Sequence, residues 1–319
     1  MKKFLVIGAG RIALTHIPHL IINPNIELVG IVEKNFLIRF IIKRLTNIPT
    51  YRSVGKLSDS SYEGVFILTP PKSHFSLANY FINKRKHVFV EKPLTLDPKQ
   101  SMDLVKNAKK NNIHLSVGYV YRYHPIFLHL KETLKGESFK KIKSVEISMI
   151  GNVVSSETPK TWRNIGVGSG CIYDYGCHVI DLSFFLFGKP NRVENIEKNE
   201  LFQPGVVDKF SAKLKYEGNF DVNIFCNWSD SSARKAGISI EIHSDRNSIW
   251  TDGQIFKINE VDVLTIKDLN TDVSYYLRGE EFQNQLDKFI SNIKERKDNN
   301  FGADDAAYCD EIIEQLNRV

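Results

Sequence analysis

The sequence predicts an α/β domain followed by an α+β domain. The first is a doubly wound parallel sheet over residues 1–120, the second a large, mostly antiparallel open sheet over residues 121–319. Three observations predict this. Strand and helix patterns alternate through short connections from residue 3 to 118, as parallel sheets with helical crossovers require. Beyond residue 118, strand follows strand without crossover helices, which implies antiparallel pairing. The length of 319 residues suits two domains at the usual ~150 residues each.

In the first domain, Phe4–Ile7, Glu27–Val32, Gly64–Thr69, His87–Val90 and His114–Gly118 are short apolar runs of the kind that form buried strands. Helical patterns occupy residues 11–22, 35–46, 73–85 and 97–111. Pro18 removes one hydrogen bond from the first helix, so a kink or an early 3₁₀ turn is expected there. The second domain opens with a helix at 125–135 and continues with strands Ile142–Ile150, Arg192–Ile196, Lys209–Tyr216, Phe220–Trp228 and Gly237–His243. Shorter strands are expected near 247–251, 254–258, 261–267 and 272–277, and Glu217-Gly218-Asn219 marks a hairpin turn. Helices near 280–296 and 303–317 close the chain.

Hydrophobic residues make up 42% and charged residues 25%, which excludes a disordered chain and allows a sizeable core. The net charge of +6 is read as a modest excess spread along the chain. It suits a small anionic ligand and gives no support for nucleic acid. Cys171, Cys177, Cys226 and Cys309 form no Cys-x-x-Cys pair and no zinc-like spacing with histidine, so no metal is expected. The sequence opens on a strand without a signal peptide, and no apolar run approaches the ~20 residues of a membrane span. A cytoplasmic protein with no membrane partner is expected.

The first strand runs into Gly8-Ala9-Gly10-Arg11-Ile12-Ala13, a G-x-G-x-x-A turn that opens a helix. Gly8 allows the tight turn, Gly10 lets a pyrophosphate approach the backbone, and Ala13 lets the helix pack close to the sheet. The N–H groups of Arg11, Ile12 and Ala13 at the helix start face the phosphates. Glu33 ends the second strand, where a carboxylate accepts hydrogen bonds from the adenine-ribose hydroxyls and repels a 2′-phosphate. NAD is therefore expected over NADP, with Lys34 as the residue that could meet a 2′-phosphate. Thr69-Pro70-Pro71-Lys72-Ser73-His74 follows the third strand at the same sheet edge. Ser73 can cap the next helix; His74 either contacts the cofactor or caps the helix.

Glu91-Lys92-Pro93 ends the fourth strand, and Pro93 stops it. Lys92 is then placed at the carboxyl edge, where open α/β sheets bind ligands; Glu91 either contacts the nicotinamide end or holds Lys92. In the second domain, Trp162 and Arg163 precede a glycine-rich turn that leads into a helix ending about Phe187. Asp174, His178 and Asp181 are spaced i, i+4, i+7 and so share one face of that helix.

Taken in order, Gly8-x-Gly10-x-x-Ala13, Thr69-Pro70-Pro71 with His74, Lys86-His87-Val88 with Glu91-Lys92-Pro93, Gly118-Tyr119 with Arg122 and Pro125, and Gly168-x-Gly170-x-x-x-Asp174-x-Gly176-x-His178-x-x-Asp181 resemble the glucose–fructose oxidoreductase / inositol dehydrogenase family, Gfo/Idh/MocA. The resemblance implies a Rossmann domain joined to an open antiparallel sheet whose exposed face makes homodimers or homotetramers. It implies NAD(P)-linked oxidation or reduction of a sugar, polyol or related compound. Lys92 matches the family's active-site lysine, and Asp174 and His178 match its Asp-x-x-x-His pair. Trp162 and Arg163 fall where many members contact the nicotinamide side or the substrate, and Asp181 gives support behind them. Ser169 departs from a turn that is often three glycines, and Tyr119-Val120-Tyr121 replaces a link that is often polar.

The expected activity is therefore hydride transfer between a nicotinamide cofactor and a secondary alcohol or ketone of a sugar, polyol or nucleotide sugar. His178 would take or return the hydroxyl proton, Asp174 would orient the imidazole or hold a neighbouring hydroxyl, and Lys92 would offset alkoxide charge. Tyr121, Arg122, Arg163 and Tyr173 join these three as expected substrate contacts. Two alternatives stand: an NADPH-dependent reductase of a keto-sugar or another carbonyl compound, and a dinucleotide-binding regulator without turnover. Lys92, Asp174 and His178 together argue against the regulator.

Overall fold

A computed structural model describes residues 1–56, 59–161, 163–217, 220–268, 279–295 and 302–318. Trp162, the Gly218-Asn219 turn and the strand expected at 272–277 lie outside the described residues. The chain divides into two units, Met1–Gly118 with Val273–Ala307, and Tyr119–Asp272 with Tyr308–Val319.

The first unit is built on a parallel sheet: β1 (Lys2–Ile7), β2 (Ile26–Val32), β3 (Thr50–Tyr51), β4 (Gly64–Ile67), β5 (His87–Val90) and β6 (Leu115–Val117). Their order is β3-β2-β1-β4-β5-β6. It reverses between β1 and β4, the switch point where such sheets open a crevice. Sequence patterning anticipates all of these strands except β3, whose two residues pair beside the end of β2 and are too few to show a period.

Helices α1 (Ala13–Ile22), α2 (Phe36–Thr46), α3 (His74–Asn83) and α4 (Pro98–Asn111) connect the strands. Asn35 caps α2 by accepting from Leu37 N and Ile38 N, and Asp97 caps α4 through Lys99 N. Left-handed Asn47 and Asn112 end these helices. Helix α1 holds Pro18 in its interior, and its start is closed by 3₁₀-type bonds from Ala13 N to Gly10 O and Thr15 N to Ile12 O, each 3.0 Å. Pro18 is only half-buried, so water can take up the hydrogen bond it leaves.

The core of this unit is aromatic. Phe66 lies 5.2 Å from Phe4 and 5.3 Å from Phe89, centroid to centroid. Phe289 of α7 (Glu280–Glu295) closes the group at 5.6 Å from Phe66. Leu286, Phe289, Ile290 and Ile293 of α7 share one core with Ala13, Ile17 and Leu20 of α1 and Ile42 of α2. The sequence division places α7 with residues 121–319, whereas its apolar stripe completes the first unit.

The second unit contains α5 (Pro125–Thr133), β7 (Ile142–Ile150), α6 (Cys177–Phe187), β8 (Arg192–Asn199), β9 (Lys209–Lys215), β10 (Asp221–Asn227), β11 (Gly237–Ser244), β12 (Ser248–Thr251), β13 (Ile255–Ile258) and β14 (Val261–Thr265). Helix α8 (Ala303–Arg318) starts in the first unit and enters the second at Tyr308. The sheet order is β14-β13-β12-β11-β7-β10-β9-β8, antiparallel except where β10 meets β7. A period of two sends one face inward. Val145 pairs with Val222 and Ile242, and Ile147 with Ile224 and Ile240, in successive buried layers. The opposite face carries Glu146, Ser148, Asn223 and Phe225, which line a shallow depression.

All four cysteines are buried and unbridged. Among the described residues, no group of histidine, cysteine and acid side chains is placed to hold a metal ion. No described helix is long and apolar enough to cross a membrane.

Candidate functional site

In the first unit, the expected cofactor residues gather at the carboxyl edge of the sheet. Gly8 N donates to Val32 O at 2.8 Å, turning the chain sharply after β1. Gly8 has φ +93°, and a Cβ there would stand 2.8 Å from Thr69 Cγ2 and 2.9 Å from Leu68 O. Only glycine fits on both counts. At Gly10 a Cβ would meet nothing within 4 Å, so the backbone is bare on that side. Helix α1 starts without a side-chain cap. Ala13 is buried, Arg11 is exposed, and the Ile12 side chain packs against the core. Glu33 reaches back over the turn, its Oε2 accepting from Ala9 N at 2.9 Å and its Oε1 from Asn35 N at 2.8 Å.

The β4 loop differs from expectation. Ser73 does not cap α3; its hydroxyl donates to Thr69 Oγ1 at 2.7 Å and to Pro70 O at 2.9 Å. Pro70 is exposed at this edge. His74 is fully buried, with Nδ1 2.8 Å from Pro93 O and Nε2 2.8 Å from Thr69 O. Burial lowers its pKa and outweighs the two carbonyls, which favour the cation. A neutral imidazole donates to one carbonyl at a time. His74 therefore ties the loops after β4 and β5 together, in place of either a cofactor contact or a cap.

Glu91 N donates to Ile67 O and its side chain is buried. One carboxylate oxygen lies 2.7 Å from His16 Nε2, and the other accepts from Lys92 N at 3.1 Å. Gly118 makes room for this group, since a Cβ there would stand 2.8–3.0 Å from the carboxylate atoms. His16 is sandwiched edge-on between Phe89 and Phe282, and its Nδ1 has no hydrogen-bond partner among the described residues. With Glu91 as a carboxylate, which only accepts, Nε2 is the donor. Sequence reasoning missed His16. The signal was there: it lies among Ala13, Ile17 and Leu20 on the buried side of α1, where a polar side chain needs a partner. Lys92 is half-buried, and its peptide bond to Pro93 is cis.

In the second unit, the glycine-rich turn is strapped down before the helix begins. Gly170 N donates to Arg163 O at 2.8 Å and Cys171 N to Val207 O at 2.7 Å. Residues Ile172–Gly176 then form a π turn before α6. Asp174 thus stands in a wider turn than the i, i+4 spacing assumes, off the strict α-helical stripe of His178 and Asp181. Such turns recur at functional sites. The Asp174 carboxylate is 3.7 Å from Arg163 Nε. His178 is met edge-on by Tyr121, centroids 5.0 Å apart, and by Tyr119 at 6.4 Å. Tyr173 is half-buried, and burial first, then Asp310 and Glu314, raises its phenol pKa.

Arg122 is not placed as a ligand contact. Its guanidinium grips Asp181, Nε lying 2.9 Å from both carboxylate oxygens and Nη2 2.7 Å from Oδ1. Both side chains are buried, at 11% and 2% exposure. A forked guanidinium–carboxylate pair of this kind fixes geometry, here between the aromatic link and α6. Lys92 belongs to the first unit and Asp174 and His178 to the second.

Known proteins give this arrangement a context. Residues 2–119 match the model of the Gfo/Idh/MocA oxidoreductase family, NAD-binding Rossmann fold, and residues 127–250 match the C-terminal domain model of the same family. Glucose-6-phosphate 3-dehydrogenase of Bacillus subtilis is 30% identical over 59% of this chain and 54% of its own length. The scyllo-inositol 2-dehydrogenase (NADP(+)) IolW of the same organism is 30% identical over 50% of this chain and 44% of its own. The chain thus spans about half the length of these curated relatives. A levoglucosan dehydrogenase solved with NADH and levoglucosan superposes with a TM-score of 0.86 at 18% identity, over 99% of this chain and 96% of that one. The turn, the strand-end Glu-Lys-Pro and the Asp-x-x-x-His helix therefore sit in the two domains of one established family: the chain belongs to the Gfo/Idh/MocA oxidoreductases.

Proposed function

We propose that this chain is an NAD-dependent oxidoreductase acting on a secondary alcohol or ketone of a sugar, polyol or nucleotide sugar. The observation that carries the reading is the turn after β1. Gly8 is held at φ +93°, Gly10 is bare, and Glu33 lies over the turn on Ala9 N. These residues fit a dinucleotide: the pyrophosphate would rest on the Gly10 side and the start of α1, and Glu33 would receive the ribose hydroxyls. Nicotinamide, when bound, supplies the hydride acceptor or donor. His178 takes the substrate hydroxyl proton, the role of general base that imidazole most often fills. Asp174 holds a neighbouring hydroxyl or orients the imidazole. The Lys92 ammonium offsets charge on the substrate oxygen as the proton leaves.

The pairing of His16 with Glu91 supports Lys92 from behind, because the same carboxylate accepts the Lys92 N–H. We assign His16 as a positioning residue. His16→Leu is expected to lower turnover about tenfold, and His16→Gln, which keeps an N–H donor, to recover part of the loss. Titration should find the dinucleotide Kd unchanged in both variants. Equal turnover in the Leu and Gln variants would remove the assignment.

An NADPH-dependent reductase is the second reading, favoured by Lys34 beside Glu33; among the relatives, the scyllo-inositol enzyme carries NADP(+) in its name. Nicotinamide fluorescence titration with NADH and NADPH decides between them. Glu33→Ser removes a like charge from the 2′-phosphate position and should narrow the NADH preference roughly tenfold. A wild-type preference for NADPH would overturn the first reading. The outward face of the eight-stranded sheet, with Phe225 and Trp250 in its depression, is the surface this reading assigns to homodimers or homotetramers.

A further inference from the structure

Helix α2 is apolar nearly all round. Ile42 points into the core, and Ile38 packs against it. Phe36, Leu37, Phe40, Ile41 and Leu45 stand in solvent, with Phe36 at 74% and Leu45 at 78% exposure. At 100° per residue these five side chains span about half the helix circumference, opposite the buried side. Leu14 and Ile22 of α1, which feeds the same core, are exposed as well. A helix hydrophobic on its solvent face implies that something covers that face. The caps at Asn35 and Asn47 fix both of its ends.

The charge around it says what kind of surface covers it. Residues 34–56 carry six bases, Lys34, Arg39, Lys43, Arg44, Arg52 and Lys56, and no acid. The whole chain has 43 lysines and arginines against 37 acids, so without these six the count is 37 against 37. The segment's formal charge equals that of the whole chain, and other basic stretches, residues 84–143 among them, are offset by acids elsewhere, whereas residues 34–56 hold no acid of their own. A second copy presenting the same basic face would be repelled. The five apolar side chains offer no hydrogen-bonding groups, so little on this arc would select the polar rim of a protein partner. An exposed apolar arc with Arg44 within it and Lys43 at its edge matches an anionic lipid surface. The expectation of no membrane partner rested on span length, which an interfacial helix does not need.

We infer that α2 docks the protein peripherally on an anionic lipid surface, with Phe36, Phe40 and Leu45 entering the headgroup boundary and Lys43 and Arg44 meeting lipid phosphates. The inference is independent of the proposed chemistry. The test is flotation of the full chain with phosphatidylcholine vesicles that contain one-third phosphatidylglycerol, against vesicles of phosphatidylcholine alone. Binding is expected only to the first, and is expected to fall in about 1 M salt, where the Debye length is ~3 Å. Phe40→Ser/Leu45→Ser and Lys43→Gln/Arg44→Gln should each weaken it about tenfold or more, with dinucleotide titration unchanged. No binding to the anionic vesicles, or binding indifferent to lipid charge and to both double variants, would overturn the inference. So would self-association in lipid-free sedimentation that Phe40→Ser/Leu45→Ser abolishes, which would make the face a contact between copies.

Discussion

His178→Ala and Lys92→Ala are each expected to lower turnover by about 10²-fold or more, measured as kcat on the sugar or polyol that a turnover screen identifies. The two losses have different causes. Removing the imidazole takes away the group that exchanges the substrate proton. The His178→Ala rate should therefore rise with pH as hydroxide replaces the missing base. Removing the ammonium takes away a fixed positive charge, so Lys92→Ala should show no such recovery. Dinucleotide Kd should change little in His178→Ala, because His178 is assigned to the substrate proton, whereas the dinucleotide reading rests on Gly8, Gly10 and Glu33. Near-wild-type kcat in both variants would sink the catalytic assignment while leaving dinucleotide binding intact, and the non-catalytic regulator would then be the better reading.

Asp181→Ala should cost about 3–5 kcal/mol of stability, seen as a lower midpoint in urea unfolding with an unchanged slope. The carboxylate is 2% exposed and takes all three short contacts from the Arg122 guanidinium. Its removal takes from a largely buried cation the carboxylate that grips it, which costs far more than the pair itself contributes. The double variant Arg122→Leu/Asp181→Leu should therefore be more stable than the single one, since replacing a buried ion pair with apolar volume is often neutral. A single variant within about 0.5 kcal/mol of wild type, the range of ordinary surface changes, would mean that water reaches the pair.

The sheets were legible because their strands carry period two or short β-branched runs, and of the crossover helices α2 and α4 carry capping residues, Asn35 and Asp97, at their starts. The nucleotide turn was legible because tight turns and bare backbone demand glycine at Gly8 and Gly10. Other features had no sequence signal of the right range. The Arg122–Asp181 pair joins residues 59 apart, and nothing local distinguishes a guanidinium that binds a ligand from one that binds a buried acid. The π turn at Ile172–Gly176 has the same hydrophobic pattern as an α-helix of that length. His74 read as a cofactor contact or a helix cap, because one of its two carbonyl partners, Pro93 O, lies 19 residues on in another loop and leaves no local pattern. The basic content of residues 34–56 was countable from the start; its meaning needed the exposure of Phe36, Phe40 and Leu45.

The place of α7 bears on how the molecule is made. Phe289 meets Phe4 at a centroid distance of 6.0 Å, across nearly the whole chain. On the ribosome, the strands of the parallel sheet emerge first and must wait for the rest of synthesis before their aromatic face is covered. Long-range closure of this kind slows folding and leaves apolar surface bare meanwhile. A fragment cut after residue 120 would keep the nucleotide turn and lose the lid of its own core.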